Sequence, residues 1–218
     1  MTDLELGDLY ASLLHEMKNN LVLVTVTLDR IERTGAPSHD QALEEARLLC
    51  RKASERLMQA LLIYKVDAGG IVLNAVDAYS TEDFASEMAM QARSLRSDLE
   101  VTTEVAPDVP AIWFFDRNLL EMALINGLHN SIVYARHRMA VVVRMVDGML
   151  SISIRDDSDG YPPHILEAVH EDKPLKSAGT GLGLRFASLI AKAHRNEDRQ
   201  GALHLSNDGG AVFEIRLP

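Results

Sequence analysis

Apolar residues recur with a helical period over the first 66 residues of the chain, where positions seven apart nearly coincide on one helix face. The first stretch with this pattern covers Asp3–Arg33 and the second covers His39–Val66. Between them lies Thr34–Ser38, whose glycine and proline interrupt helices. The pattern predicts an antiparallel helical hairpin. Because two helices alone bury little surface and both apolar seams are wide, we expect two chains to pair into a dimeric four-helix bundle.

The pattern changes after Asp67–Gly70, where short β-like runs alternate with helical stretches. Asp147-Gly148 lies between two such runs and is a strong hairpin turn signal. The second region therefore predicts an α+β fold, an α/β sandwich with helices on one face of a mixed sheet. We place the domains at residues 1–68 and 69–218. The predicted strands are Ile71–Ala75, Glu100–Val105, Ala140–Val146, Leu150–Arg155, Ala202–Ser206 and Ala211–Leu217, and the predicted helices are Thr81–Ser97, Arg117–Ala135 and Leu182–Ala193.

Composition narrows the class of protein. The chain has 218 residues, of which 47% are hydrophobic, enough for a packed core. With 22 Lys+Arg against 32 Asp+Glu the net charge is −10, which argues against nucleic-acid binding. The single cysteine excludes an intrachain disulfide and fits a reducing compartment. No apolar run reaches the roughly 20 residues of a membrane helix, so we expect no membrane insertion and a cytoplasmic location.

One histidine of the predicted first helix lies opposite the apolar stripe. His15 is followed by Glu16, and Asn19 lies one turn further along the same exposed side. Val22 and Val26 also lie there, and an exposed apolar strip suggests a surface that another protein covers. Neutral imidazole is a nucleophile near pH 7 and a neighbouring carboxylate can take its proton, so this pair is a candidate phosphoryl acceptor. A scattered surface histidine is the simpler alternative.

Three further segments carry candidate nucleotide chemistry. Gly179–Leu184 opens into a predicted helix, where glycines allow backbone N–H groups to approach a polyphosphate; a flexible loop is the alternative. Asp156 ends a predicted strand and needs a partner, which an adenine amino group would supply, unless the segment is only an acidic turn. Asn126 and Asn130 share one face of an apolar helix, so they either bind Mg²⁺ and phosphate or serve as structural amides.

In this order the segments resemble the catalytic core of two-component histidine kinases, with the Bergerat or GHKL ATPase fold shared by gyrase, Hsp90 and MutL. His15–Asn20 is similar to the histidine box and Asn126–Tyr134 to the asparagine box. Asp156–Gly160 resembles the D-x-G-x-G motif, and Gly179–Leu184 matches the second glycine box in full.

The resemblance implies roles for individual residues. His15 would be the phosphoacceptor, Glu16 its acid/base, and Asn19 the residue that positions water for dephosphorylation of the partner. Asp156 would bind the adenine amino group, and residues 162–178 would form a lid over ATP. The residues implied in ATP binding are Asn126, Asn130, Asp156, Gly160, Gly179, Thr180, Gly181, Leu182 and Gly183, with Asn130 as the Mg²⁺ ligand.

The resemblance further implies a kinase that autophosphorylates His15 from Mg-ATP and passes the phosphoryl group to an aspartate of a response-regulator receiver domain. We expect the receiver to dock on Val22 and Val26. Because only fourteen residues precede His15, we expect input from a separate sensor protein. The alternative is a histidine phosphotransferase or phosphatase with a degenerate ATPase domain.

Four departures from the family pattern favour that alternative or weak ATP binding. Ser158 replaces a glycine of the D-x-G-x-G motif, and Val133 replaces a basic residue of the asparagine box. Asp157 and Asp159 add negative charge beside the expected nucleotide, which like-charge repulsion would disfavour.

Overall fold

The computed structural model describes residues 73, 75–171, 173 and 182–218, with the backbone only at residue 182. The chain divides into two compact units, Met1–Gly70 and Ile71–Pro218, and every described residue belongs to the second. The predicted helical hairpin therefore lies outside the described residues.

The described part contains a five-stranded sheet, two two-stranded sheets and four helices. The strands are β1 Val76–Ser80, β2 Glu100–Val105, β3 Ile112–Asp116, β4 Arg138–Val146, β5 Met149–Asp156, β6 Arg195–Asn196, β7 Arg199–Gln200, β8 Ala202–Asn207 and β9 Ala211–Leu217. The helices are α1 Thr81–Leu95, α2 Arg117–Tyr134, α3 Pro163–His170 and α4 Leu182–Ala193. None of these helices is long and apolar enough to cross a membrane.

The large sheet is mixed, as the sequence predicts. Its strand order is β2-β4-β5-β9-β8, in which β2 runs parallel to β4 and every other neighbouring pair is antiparallel. The predicted hairpin turn joins β4 to β5. Its residues Asp147 and Gly148 have φ values of 52° and 73°, as a type I′ turn requires.

The core lies between the sheet and three helices. α1, α2 and α4 pack on strands of the large sheet. Successive side chains of a strand point to opposite faces, so cross-strand neighbours such as Val141, Ile154 and Phe213 share one buried face. α4 contributes Phe186 and Ile190, both fully buried, to the same core. The periodic apolar positions of the sequence are therefore the residues that hold these layers together.

A separate ribbon of β1 and β3 packs beside α1. The centroid of the Phe115 ring lies 5.1 Å from the ring centroids of both Tyr79 and Phe84, whereas neighbouring Phe114 is 66% exposed. The predicted strand Ile71–Ala75 is wrong, because the strand is Val76–Ser80 and residues 73 and 75 lie outside it. The sequence pattern also missed β3 and α3.

Candidate functional site

Asp156 is the last residue of β5, at the strand end where the pattern predicts it. Its Oδ1 accepts hydrogen bonds from the backbone N–H groups of Ser158, at 2.9 Å, and Ala211, at 3.2 Å. Among the described residues, no donor is bonded to Oδ2. One oxygen therefore fixes the orientation of the carboxylate, and the other is left to accept from a ligand donor such as an exocyclic amino group.

The two acidic residues that follow in the same turn are each paired inside the domain. Asp157 accepts from the backbone N–H of Arg136 at 2.8 Å and from that of His137 at 3.0 Å. Desolvation acts to raise the pKa of Asp157, but these backbone hydrogen bonds outweigh it and lower the pKa. Asp159 forms an ion pair with the Arg136 guanidinium. Both negative charges have partners, which reduces the repulsion expected between them and a nucleotide.

The turn ends at Gly160, whose φ of +85° lies in the left-handed region that glycine adopts without strain. The next residue, Tyr161, is partly buried. Burial and the nearby charge of Asp156 both raise the pKa of its phenol, so the side chain is neutral. The glycine thus lets the chain reverse between a strand-end carboxylate and an uncharged aromatic side chain.

The two candidate asparagines of α2, Asn126 and Asn130, differ in their hydrogen bonding. Asn126 donates through Nδ2 to the carbonyl oxygen of Met122, at 2.9 Å, so one face of its amide bonds to its own helix. Asn130 lies one turn later and is half-buried. Within the part of the chain that the structure describes, the Asn130 amide makes no hydrogen bond. Of the two, Asn130 is therefore the better placed to offer its oxygen to a metal ion or a phosphate.

The first turn of α4 fits closely against Asn126. A Cβ atom at Gly183 would lie 2.6 Å from Oδ1 of Asn126, so a larger residue would require the Asn126 amide to move. α4 starts at Leu182, as the sequence predicts, and its N-terminal end provides backbone N–H groups and the positive end of a helix dipole. Gly183 thus brings a potential anion site next to the asparagine-bearing helix.

Close packing also explains a glycine inside α2. A Cβ atom at Gly127 would lie 2.6 Å from two ring atoms of Phe213, which is fully buried in β9. A glycine in the middle of a helix costs about 1 kcal/mol relative to alanine. At position 127 this cost is accepted because only a residue without a side chain lets α2 lie this close to Phe213. The contact sets the distance between the asparagines and the sheet.

The expected lid is only partly described. Its described portion contains the helix α3, with Ile165 buried, and ends near Lys173, which is exposed and paired with Glu171. Residue 172 and residues 174–181 are outside the described residues.

The described residues contain no cluster of three or more His, Cys, Asp and Glu side chains that could hold a metal ion. A tightly coordinated resident metal would need such a cluster. Mg²⁺ held with a nucleotide does not, since it usually keeps waters and binds one or two protein oxygens together with phosphates. The Asn130 amide fits the second arrangement.

The family of the domain follows from a comparison with known families. Residues 115–218 match the model of the histidine kinase-, DNA gyrase B-, and HSP90-like ATPases. They form an ATPase domain of this family. The matched residues include Asn126, Asn130 and the Asp156–Gly160 turn.

Curated relatives of the ATPase domain are sensor kinases. Sensor histidine kinase RppB of Synechocystis sp. is 25% identical over 229 residues, covering 95% of this chain and 48% of RppB. Sensor histidine kinase component HK1 of Mycobacterium tuberculosis is 28% identical over 134 residues, covering 58% of this chain and 76% of HK1. The Escherichia coli histidine-protein kinase AtoS is 24% identical, covering 98% of this chain and 35% of AtoS. The chain thus spans about half of RppB and about a third of AtoS.

Solved structures show the same fold. The Acinetobacter baumannii histidine kinase AdeS superposes with a TM-score of 0.66 at 18% identity, covering 93% of this chain and 96% of that one. Full-length ShkA, solved in complex with AMPPNP, superposes with a TM-score of 0.66 at 20% identity and covers all of this chain, which matches 46% of ShkA. The α+β GHKL ATPase fold expected from the sequence is confirmed.

Several candidate residues lie outside the described residues. In the predicted hairpin these are His15, Glu16, Asn19, Val22 and Val26, and in the second glycine box they are Gly179, Thr180 and Gly181. Leu182 is described by its backbone alone, at the first position of α4.

The structure also shows contacts of the ATPase domain that the sequence did not indicate. The side chain of Asn207 bonds to the backbone of Tyr161, and Ala211 donates to Asp156. Both come from the β8–β9 hairpin, about fifty residues after the turn they contact. No local sequence signal marks either residue, because a bond between a side chain and a distant backbone leaves no periodicity.

Proposed function

We propose that the chain is the catalytic core of a two-component histidine kinase. Residues 69–218 would bind Mg-ATP, and residues 1–68 would form a dimeric helical hairpin that carries the phosphoacceptor His15. The domain family and the sensor kinases among the relatives support this function. The geometry around Asp156 and Asn130 supports it as well.

The observation that carries the proposal is the carboxylate of Asp156. Its Oδ1 is fixed by two backbone N–H groups, from Ser158 and Ala211. A carboxylate held in this way is ready to accept from an adenine amino group through Oδ2 without further ordering, and a preorganised acceptor binds more tightly than a mobile one.

The phosphate end of ATP would lie along α2 and the start of α4. Asn130 offers an amide oxygen from a half-buried position, and the α4 N-terminus offers backbone donors. Gly179, Thr180, Gly181 and Gly183 complete this region in the proposal. Bound Mg²⁺ would neutralise phosphate charge as the phosphoryl group is transferred.

Transfer requires a nucleophile on the hairpin. In the proposal a ring nitrogen of neutral His15 attacks the γ-phosphorus, the bond from this phosphorus to the β,γ-bridging oxygen breaks, and ADP leaves. Glu16 takes the proton from the imidazole, so no positive charge remains on the ring of the phosphohistidine. Asn19 would position water when a phosphorylated partner is hydrolysed.

The partner would be a response-regulator receiver domain docking on Val22 and Val26. Val22→Glu should abolish phosphoryl transfer to the receiver, because a carboxylate would replace an apolar contact. Autophosphorylation of the same variant should persist. Its loss together with transfer would contradict the assignment of Val22 to docking.

The deciding experiment is incubation of the full chain with radiolabelled ATP and Mg²⁺. Wild type should take up label that is lost in acid and retained in base, as a phosphohistidine requires, and His15→Ala should take up none. The control His137→Ala removes an exposed imidazole outside the expected lid, keeps the backbone N–H of that residue, and should be labelled like wild type. Label on His15→Ala would overturn the assignment of the acceptor. Absence of ATP binding at millimolar nucleotide would overturn the kinase function, and label that appears only with a phosphorylated partner would indicate a phosphotransferase.

A further inference from the structure

Asn207, the last residue of β8, binds the backbone of Tyr161 at both of its polar groups. Its Oδ1 accepts from the Tyr161 N–H at 2.8 Å, and its Nδ2 donates to the Tyr161 carbonyl oxygen at 3.0 Å. The side-chain amide thus pairs with a single residue as a neighbouring strand would. Tyr161 lies directly after the Asp156–Gly160 turn, and 46 positions separate it from Asn207.

The same hairpin holds the other end of the turn. Ala211 donates its backbone N–H to Oδ1 of Asp156 at 3.2 Å. A Cβ atom at Gly210 would lie 1.8 Å from the backbone oxygen of Asp156, so only glycine lets the hairpin approach this closely. The β8–β9 hairpin therefore contacts both ends of the turn that carries the candidate adenine acceptor.

Gly160 fits directly beneath the Asn207 amide. A Cβ atom at Gly160 would lie 2.6 Å from both Cγ and Oδ1 of Asn207. The position also has a φ of +85°, so a side chain there would be strained as well as crowded. The close fit means that the amide and the turn hold each other in one arrangement.

We propose that Asn207 is a positioning residue for nucleotide binding, which fixes the Asp156–Gly160 turn by clamping Tyr161. That the ligand is a nucleotide rests on the proposed function, whereas the clamp itself rests on the two hydrogen bonds between Asn207 and Tyr161. Without the clamp, the segment after Gly160 loses two hydrogen bonds and the turn samples other conformations. Asp156 then presents Oδ2 to adenine only part of the time, and ATP affinity falls in proportion.

The test compares Asn207→Ala and Asn207→Asp in the full chain. We expect the Kd for Mg-ATP, measured by titration calorimetry, to rise about tenfold in Asn207→Ala, since two hydrogen bonds are lost. Asn207→Asp keeps an acceptor for the Tyr161 N–H but sets its second carboxylate oxygen against the Tyr161 carbonyl oxygen, so its Kd should rise at least as much as in Asn207→Ala. Ser206→Ala changes the preceding exposed residue and should bind as wild type. For autophosphorylation, KM for ATP should rise while kcat changes little, a split that general destabilisation would not produce.

Hydrogen exchange separates this inference from the proposed function. The Tyr161 amide should be protected in the nucleotide-free wild type and exchange much faster in Asn207→Ala, while fluorescence of Trp113, the only tryptophan, shows the domain still folded. Wild-type ATP affinity in Asn207→Ala would overturn the inference. A wild-type chain that binds no ATP would instead overturn the proposed function. In that case unchanged Tyr161 exchange would reject the clamp, and faster exchange would support it.

Discussion

The backbone N–H of Asp116 donates a hydrogen bond to Nε2 of His194, 3.1 Å away, although the two residues are 78 positions apart. Because Nε2 accepts, Nδ1 carries the proton and donates to the Ile190 carbonyl oxygen at 2.9 Å. The imidazole is 3% exposed and neutral, and it joins the start of α2 to the end of α4. The two helices of the candidate site are thus tied together at their far ends by one buried side chain.

This pairing predicts a pH-dependent stability of the domain. Burial lowers the pKa of His194, more than its hydrogen bond to Ile190 and the charge of Asp116 raise it. Below the unfolded-state pKa of about 6.5, His194 is protonated in the unfolded chain but stays neutral in the folded one. The free energy of unfolding is therefore at its full value above this pH and decreases below it. Urea unfolding followed by Trp113 fluorescence should therefore show a lower free energy of unfolding at pH 5.5 than at pH 7.5.

Replacing the histidine isolates its share of this dependence. His194→Leu should lower the free energy of unfolding at pH 7.5 by about 1–3 kcal/mol, because the Asp116 N–H is left buried and unpaired. The variant should also lose part of the difference between the two pH values. The control His164→Gln removes an exposed imidazole and should unfold like wild type at both. An undiminished pH difference in His194→Leu would show that other groups cause it.

The carboxylate of Asp156 leads to a prediction about ATP binding. In Asp156→Asn the amide oxygen can still accept from Ser158 and Ala211, which turns the new NH₂ group toward the place of Oδ2. A donor would then face the amino group of adenine, so ATP affinity should fall by about 10² or more. Calorimetry with Mg-ATP measures the loss.

Asp156→Asn is isosteric, so we expect the variant to keep the wild-type fold. Thermal unfolding of Asp156→Asn without nucleotide should stay close to wild type, because the backbone hydrogen bonds persist. Asp108→Asn changes an exposed carboxylate between β2 and β3 and should bind ATP like wild type. Undiminished ATP affinity in Asp156→Asn would remove Asp156 from the nucleotide site.

The elements with strong periodic patterns were predictable from the sequence. Ala211–Leu217 and Leu182–Ala193 were predicted with the bounds that the structure shows, because alternate or helically spaced residues of these segments face one core. β1 and β3 were not, since among the described strands they pair only with each other and leave residues such as Phe114 exposed. A ribbon with one uncovered face has no clear division between apolar and polar positions.

The candidate site shows the same contrast. Asp156 was predictable because a strand pattern runs into a turn of polar residues and glycine. The partners of Asp157 and Asp159 were not predictable, so the sequence indicated two unpaired charges. In the structure Arg136 binds both, through its backbone N–H to Asp157 and through its guanidinium to Asp159. Which atoms neutralise a carboxylate depends on tertiary contacts, and these leave no trace in local spacing.

Packing of Gly127 on Phe213 gives a prediction about stability. Gly127→Ala gains helix propensity of about 1 kcal/mol, but its methyl group would lie 2.6 Å from two ring atoms of Phe213, which is fully buried and would have to shift. Overpacking of this kind costs about 1–3 kcal/mol, so we expect net destabilisation. Urea unfolding followed by Trp113 fluorescence measures it. The control Asn118→Ala, exposed in the first turn of the same helix, should change the free energy of unfolding by a few tenths of a kcal/mol at most.

A smaller side chain at position 213 should relieve the clash. Phe213→Leu is itself destabilising because it buries less apolar surface. Adding Gly127→Ala to Phe213→Leu should nevertheless lower the free energy of unfolding by less than the same change does in wild type. Equal costs in the two backgrounds would mean that the methyl group meets something other than Phe213.

Two acidic residues, Asp157 and Asp159, follow Asp156 in the same turn. If Asp157 and Asp159 repelled ATP, neutralising either would tighten binding severalfold at low salt, and the gain would shrink as salt screens the charges. Because Asp157 is bound to two backbone N–H groups and Asp159 to Arg136, we expect no such gain in affinity from either change. Asp159→Asn should leave the Kd for Mg-ATP within about twofold of wild type at low and high salt, as a solvent-exposed ion pair contributes little.

Asp157→Asn should weaken ATP binding rather than strengthen it. The change removes the charge that makes the hydrogen bonds to Arg136 and His137 strong, and these bonds hold the end of α2 against the turn. Calorimetry of both variants at two salt concentrations tests this directly. Tighter binding by Asp157→Asn at low salt, lost at high salt, would show that like-charge repulsion limits ATP affinity despite the partners of these residues.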